Sequence, residues 1–230
     1  MIDLFVYKRP NAEQSVEYCY QQLVKKMKLI GQPFSWRDLM LPSTPSFEAD
    51  SFSAHFEVNY PSDRIHHHGY FHLRDRHYLS EDHAAKDDAM SLHIERLNHS
   101  EYGQILSTYF PQLVVAFDAY RAAAYFKEYI VLYYQTYSET LERLRARREI
   151  NVNGRNNIFT LNPAHYWDSE LCQRALGYGR DEVINRLTGK VPLVQPLMDG
   201  VYVVFNDNPD LSFEEFCAYN DRLKPVLGLS

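Results

Sequence analysis

Residues 52–74 read FSAHFEVNYPSDRIHHHGYFHLR, and the fold turns on how they are read. Phe52, Ala54, Phe56, Val58 and Tyr60 alternate with Ser53, His55, Glu57 and Asn59. That period of two belongs to a strand with one dry face and one wet face. Pro61-Ser62-Asp63-Arg64 is turn chemistry. Alternation then resumes, with Ile65, His67, Gly69, Phe71 and Leu73 on one side and His66, His68, Tyr70, His72 and Arg74 on the other. A hairpin closed by those four turn residues sets Tyr60 opposite Ile65, Asn59 opposite His66, Glu57 opposite His68 and His55 opposite Tyr70.

Working outward, a third run at 90–97 places Met90, Leu92 and Ile94 against Ser91, His93 and Glu95. With the acidic connection SEDHAAKDD at 80–88, predicted to be exposed, the three runs suggest an antiparallel meander. Residues 2–7 read as an opening strand. Val16, Tyr20, Leu23, Met27 and Ile30 recur at helical steps and predict a helix over 12–30, stopped by Gly31 and Pro33. The proline-bearing stretch 33–50 reads as a loop with one short strand. Residues 100–123 read as largely helical with a second start at Pro111, and 127–148 as one long helix. NVNGRNN at 151–157 is a loop and IFTL at 158–161 a short strand. Asp168 caps a helix through Leu176, and another follows over 181–188. Two apolar runs around Met198-Asp199-Gly200 predict a hairpin. Ser212 and Glu215 form a capping box for a final helix that ends before Pro225. Strands arriving as hairpins among helices predict an α+β fold, with an antiparallel or mixed sheet, in a single domain over 1–230 whose sub-halves would be about 1–98 and 99–230.

The predicted hairpin gathers His55, Glu57, His66, His68 and His72 on one wet face. Zinc needs about four donors near 2 Å, and strand neighbours two apart stand ~7 Å apart, so a metal there requires inward-leaning side chains. A metal-dependent hydrolase using those five residues is therefore one reading. A surface that contacts a partner is the other and is preferred, because no HExxH helix, GxSxG elbow, P-loop or GxGxxG accompanies the cluster. The contact residues it predicts are His55, Glu57, His66, His68, Tyr70 and His72, with Glu81, Asp82, Asp87 and Asp88 of the acidic connection. No catalytic residue, metal ligand or cofactor is assigned.

Composition fits that reading. The chain is 14% aromatic with 18 tyrosines, side chains suited to surfaces that meet something. A net charge of −6 argues against nucleic-acid binding. Cys19, Cys172 and Cys217 are too widely spaced for a metal knuckle or a disulfide framework, which suits a reducing compartment. No signal peptide or apolar span is legible, so a cytoplasmic protein is expected, without membrane contact. RLRARR at 143–148 is the strongest basic cluster and reads as a helix end. A homo-oligomer stays open.

Three further stretches, YFPQLVVAFDAYRA (109–122), LNPAHYWDSELCQRALGYGRDEVINRL (161–187) and PLMDGVYVVF (196–205), occur in an order that resembles a family of bacterial immunity proteins from polymorphic-toxin and type VI secretion loci. That family is paired with nuclease effectors of the restriction-endonuclease fold. The resemblance lies mainly in the C-terminal half, and the His-rich hairpin has no counterpart in it. It implies inhibition by binding: a cognate nuclease effector as partner, and no cofactor. A secretion-associated adaptor without inhibitory activity is the alternative.

Overall fold

The computed structural model describes residues 1–47 and 51–229; the last three positions of the predicted 33–50 loop lie outside them. In chain order the strands are β1 (Ile2–Lys8), β2 (Ser46–Phe47), β3 (Ser53–Asn59), β4 (Ile65–His72), β5 (Asp88–Ile94), β6 (Arg121–Tyr125), β7 (Asn153–Gly154), β8 (Asn157–Ile158), β9 (Ala164–Trp167), β10 (Leu193–Leu197) and β11 (Gly200–Val204). The helices are α1 (Val16–Met27), α2 (His99–Gln104), α3 (Phe110–Phe117), α4 (Lys127–Thr136), α5 (Ser138–Ala146), α6 (Ser169–Leu176), α7 (Arg180–Leu187) and α8 (Phe213–Leu227). Nine strands form one sheet in the order β10-β11-β9-β6-β1-β5-β4-β3-β2, and each neighbouring pair is antiparallel. The fold is α+β, and the sheet runs unbroken across residue 98.

The hairpin register is the one the alternation dictates: Asn59 opposite His66, Glu57 opposite His68 and His55 opposite Tyr70. Its dry face seals against α1, where Tyr20 meets Phe56 at 5.3 Å between ring centroids. Phe56, Phe71 and Trp36 are nearly or fully buried there, each contributing roughly 1.5–3 kcal/mol by leaving water. Gly69 is required beneath the Phe56 ring, because a Cβ would run into that ring and fall 2.9 Å from the Ala89 carbonyl oxygen. The same side of β1, Ile2, Leu4 and Val6, aligns with Ile94, Leu92 and Met90 of β5. Tyr202 of β11 donates from its hydroxyl to the Leu106 carbonyl at 2.6 Å, which ties the far end of the sheet to the same helical layer.

Helix ends follow capping. Ser15 accepts from the Tyr18 N–H, so α1 starts at Val16 and not at residue 12. Asp168 caps α6, and the Ser212–Glu215 capping box starts α8, as predicted. Four expectations are corrected. Residues 121–125 form β6, because Asp118 takes a left-handed conformation (φ 57°) and ends α3. The helix expected over 127–148 breaks at Tyr137 into α4 and α5. The strand expected over 158–161 stops at Ile158, since the N–H groups of Phe159, Thr160 and Leu161 donate to the side chains of Asn153 and Asn220. Helix α8 runs through Pro225 to Leu227, where the missing N–H removes only one bond near the helix end.

Candidate functional site

The side of the sheet opposite α1–α3 carries the chemistry. Alternation puts Asp3, Phe5 and Tyr7 of β1 on it, beside His93, Ser91 and Ala89 of β5 and beside Tyr125, Ala123 and Arg121 of β6. It continues through His66, His68 and Tyr70 of β4 to Asn59, Glu57 and His55 of β3. His55, Glu57, His66 and His68 are exposed; Tyr70, Phe5, Tyr7 and Tyr125 are half-buried. Phe5 and Tyr125 stack with centroids 5.1 Å apart. The strand period thus sets a histidine-rich field beside an aromatic one.

The imidazoles do not converge. His55 Nε2 lies 2.8 Å from Ser53 Oγ, His68 Nε2 lies 3.1 Å from Ser91 Oγ, and His93 Nδ1 lies 2.5 Å from Asp3 Oδ1. Among the described residues no three His, Cys, Asp or Glu side chains are placed to hold a metal ion. His72 departs from the predicted wet face: it is buried, its ring beside the Tyr78 hydroxyl at 3.2 Å, and burial lowers its pKa.

The acidic connection is also split. Glu81 and Asp82 are exposed, whereas Asp87 and Asp88, expected as contact residues, have no side-chain exposure. Their burial is possible because arginines meet them. Arg74 grips Asp88 with two bonds, Nη1–Oδ1 at 2.8 Å and Nη2–Oδ2 at 2.6 Å, while the His72 N–H donates to Oδ1 at 2.9 Å. Asp87, on the opposite side of the sheet, accepts from Arg155 Nε at 2.9 Å and from the Tyr120 hydroxyl at 2.5 Å, with Arg121 Nη2 at 3.6 Å. Burial is the larger effect on Asp87 and moves its carboxyl upward, with Arg121 and Arg155 opposing it.

Beside this network opens a cavity of about 910 Å³. Its lining includes Tyr7, Arg121 and Tyr125 from the sheet, Tyr134 from α4, Arg145 of α5 and Arg148 beyond it, Asn153 and Gly154 of the β7–β8 hairpin, and Asn162, His165 and Trp167 near β9. The Arg121 guanidinium lies over the Tyr7 ring at 3.6 Å. Its Nε donates to the Tyr120 hydroxyl at 2.9 Å. Gly154, at φ 109°, presses on that side chain so closely that a Cβ would sit 2.8 Å from Arg121 Cδ. His165 is held neutral, its pKa pushed down to about 3 by burial and by Arg121, and its Nε2 accepts the Asn162 N–H at 2.7 Å. Sequence reasoning missed this site. The available signals were Arg121 among three alanines and RLRARR, which supplies Arg145 and Arg148 at the mouth.

These features define an α+β protein with one helix-sealed sheet face, an open polar-aromatic face and an adjoining cavity. No protein-family model matches the chain, and no curated protein sequence does. Among solved structures, the T6SS protein PA0821 of Pseudomonas aeruginosa matches with a TM-score of 0.51 and 11% identity, covering 99% of this chain and 75% of its own. At that identity the likeness is one of fold. No helix among the described residues is long and apolar enough to cross a membrane.

Proposed function

We propose that this chain is a non-catalytic cytoplasmic immunity protein of a type VI secretion locus, which binds and neutralises a cognate nuclease effector. The observation that carries the reading is the open sheet face, where exposed His55, Glu57, His66 and His68 run into half-buried Tyr70, Phe5 and Tyr125. Rigid aromatics bordered by polar groups on a sheet are the makings of a protein interface. A nuclease must grip polyanionic DNA, so its cleft is basic, and a chain of net charge −6 with Glu57 outward on the face is attracted to it. The fold neighbour, a T6SS protein, and the resemblance of residues 109–122, 161–187 and 196–205 to immunity proteins support the same setting. Such a protein needs no cofactor, nucleic acid or membrane.

The test is co-expression with the gene product encoded beside it, scored for complex formation and for cell survival. Complex formation with survival is expected, and Glu57→Arg with His68→Glu should abolish both while leaving the melting temperature unchanged. A complex without survival would make the chain an adaptor; no complex would end the proposal.

A further inference from the structure

The cavity adjoining the open face holds two polar groups whose hydrogen-bonding capacity is not fully used among the described residues. Asn162 is only 5% exposed, yet its side-chain amide makes no hydrogen bond to any described residue, and its Oδ1 is fully shielded. A buried amide without partners costs roughly 1–3 kcal/mol, which a ligand that pairs with it would recover. The second group is Arg121. Its Nε is taken by Tyr120 and its Nη2 is shared with Asp87, which leaves Nη1 with no partner among the described residues. Tyr7 beneath the guanidinium and Gly154 against its stem fix where that edge lies.

The unmatched charge around the cavity is positive. Asp82 is neutralised by Arg155 and Arg174, and Glu81 by Lys86. Arg145 and Arg148, at the mouth, have no carboxylate partner among the described residues. On a chain of net charge −6 this is a local reversal of sign. An anion therefore fits the site better than a cation. Asn162 narrows the class further: with Oδ1 shielded, its NH2 group is the end left to a ligand, a neutral donor that suits a peptide carbonyl beside carboxylates.

We propose that the cavity binds an acidic polypeptide segment, with a carboxylate on Arg121 Nη1, a backbone carbonyl on the Asn162 NH2 group and a second carboxylate met by Arg145 and Arg148. Tyr125 and Tyr134 line the remaining walls. This site adjoins the open docking face and shares Tyr125 with it, but neither proposal needs the other.

Isothermal titration of the full chain tests it, with a capped tetraglutamate peptide, a capped tetraglutamine peptide and inorganic phosphate as probes. Tetraglutamate should bind and tetraglutamine should bind at least tenfold more weakly, since charge-assisted bonds to arginine are lost. Arg145→Glu with Arg148→Glu should weaken tetraglutamate by at least tenfold without moving the melting temperature, because both side chains are exposed. Asn162→Leu should weaken it while holding or raising the melting temperature, a combination that a purely structural asparagine would not show. Tetraglutamate failing to bind, or binding unchanged in both variants, would overturn the site. Phosphate binding as tightly as the peptide would overturn the polypeptide assignment and leave a free-anion pocket.

Discussion

Lowering the pH from 7 to 5 should destabilise this protein through two histidines that stay neutral when folded. His67 is 1% exposed and His165 5%, and burial, the largest cause for each, pushes both pKa values down to about 3. The neighbouring His68 adds to the effect at His67, and Arg121 at His165. Among the described residues nothing answers a proton on His67: its Nδ1 lies 3.0 Å from the Tyr60 hydroxyl, while its buried Nε2 has no partner there. The unfolded chain takes up protons as pH falls through about 6.5, whereas these folded imidazoles wait until about 3. Stability is therefore full above 6.5 and is lost as pH falls toward 3, at about 1.4 kcal/mol per unit for each histidine. At pH 5, about 1.5 units below the ordinary value, the loss is about 2 kcal/mol each and about 4 kcal/mol together. His72, lowered in the same direction, adds to it. Both tryptophans report on these sites, with Trp36 at 5.2 Å from His67 and Trp167 at 5.1 Å from His165 between ring centroids. Urea unfolding followed by tryptophan fluorescence at pH 7, 6 and 5 measures the slope, and His67→Leu should remove close to half of it. Stability that stays flat from pH 7 to 5, or imidazole resonances for His67 and His165 that titrate near 6.5 in the folded protein, would refute the reasoning.

Other perturbations test the framework. Asp87→Asn leaves Arg155 and Arg121 facing a neutral group in a buried network and should cost about 3–5 kcal/mol in urea unfolding. Gly69→Ala must displace Phe56 or the Ala89 carbonyl and should cost about 1–3 kcal/mol by thermal melting. Asp168→Ala removes the α6 cap and the ion pair at 2.5 Å to Arg9, whose Nε already lacks a partner among the described residues, so a loss of about 2 kcal/mol or more is expected by the same measurement. His66→Ser and Glu57→Gln, on the open face, should leave stability within about 0.5 kcal/mol.

The hairpin was legible because one physical demand, burial of one side, wrote itself into every second residue from Phe56 to Phe71. Strand β6 was not, because Arg-Ala-Ala-Ala-Tyr spells high helix propensity, and what overrides it is the left-handed turn at Asp118 and pairing with β1 and β9 on either side. Strand β9 is only four residues long, Ala-His-Tyr-Trp, and buried throughout, so it shows no alternation to read. Asp87 and Asp88 looked like a solvated acidic run. Arg74, which pairs with Asp88, stands 14 residues away, and Arg155, which pairs with Asp87, 68 residues away; no local window contains both halves of the second pair.

The cavity was hidden for the same reason, but its composition follows from how the sheet is covered. One side of β1, β3, β4 and β5 is sealed by α1 and α3, so Leu4, Phe56, Phe71 and Leu92 must be apolar whatever the protein does. On the other side, His55, Glu57, His66 and His68 have no helix to satisfy, and polar residues there carry little penalty for folding. Arg121 and Asn162 are different. They are polar where the protein is nearly closed, and they leave bonds unmade among the described residues. Most buried polar groups are paired, so groups kept against that cost in a space of about 910 Å³ argue for something that enters it. Fold and binding therefore draw on opposite sides of one sheet, and β1 serves both: Leu4 and Val6 face the core while Phe5 and Tyr7 face the open side and the cavity.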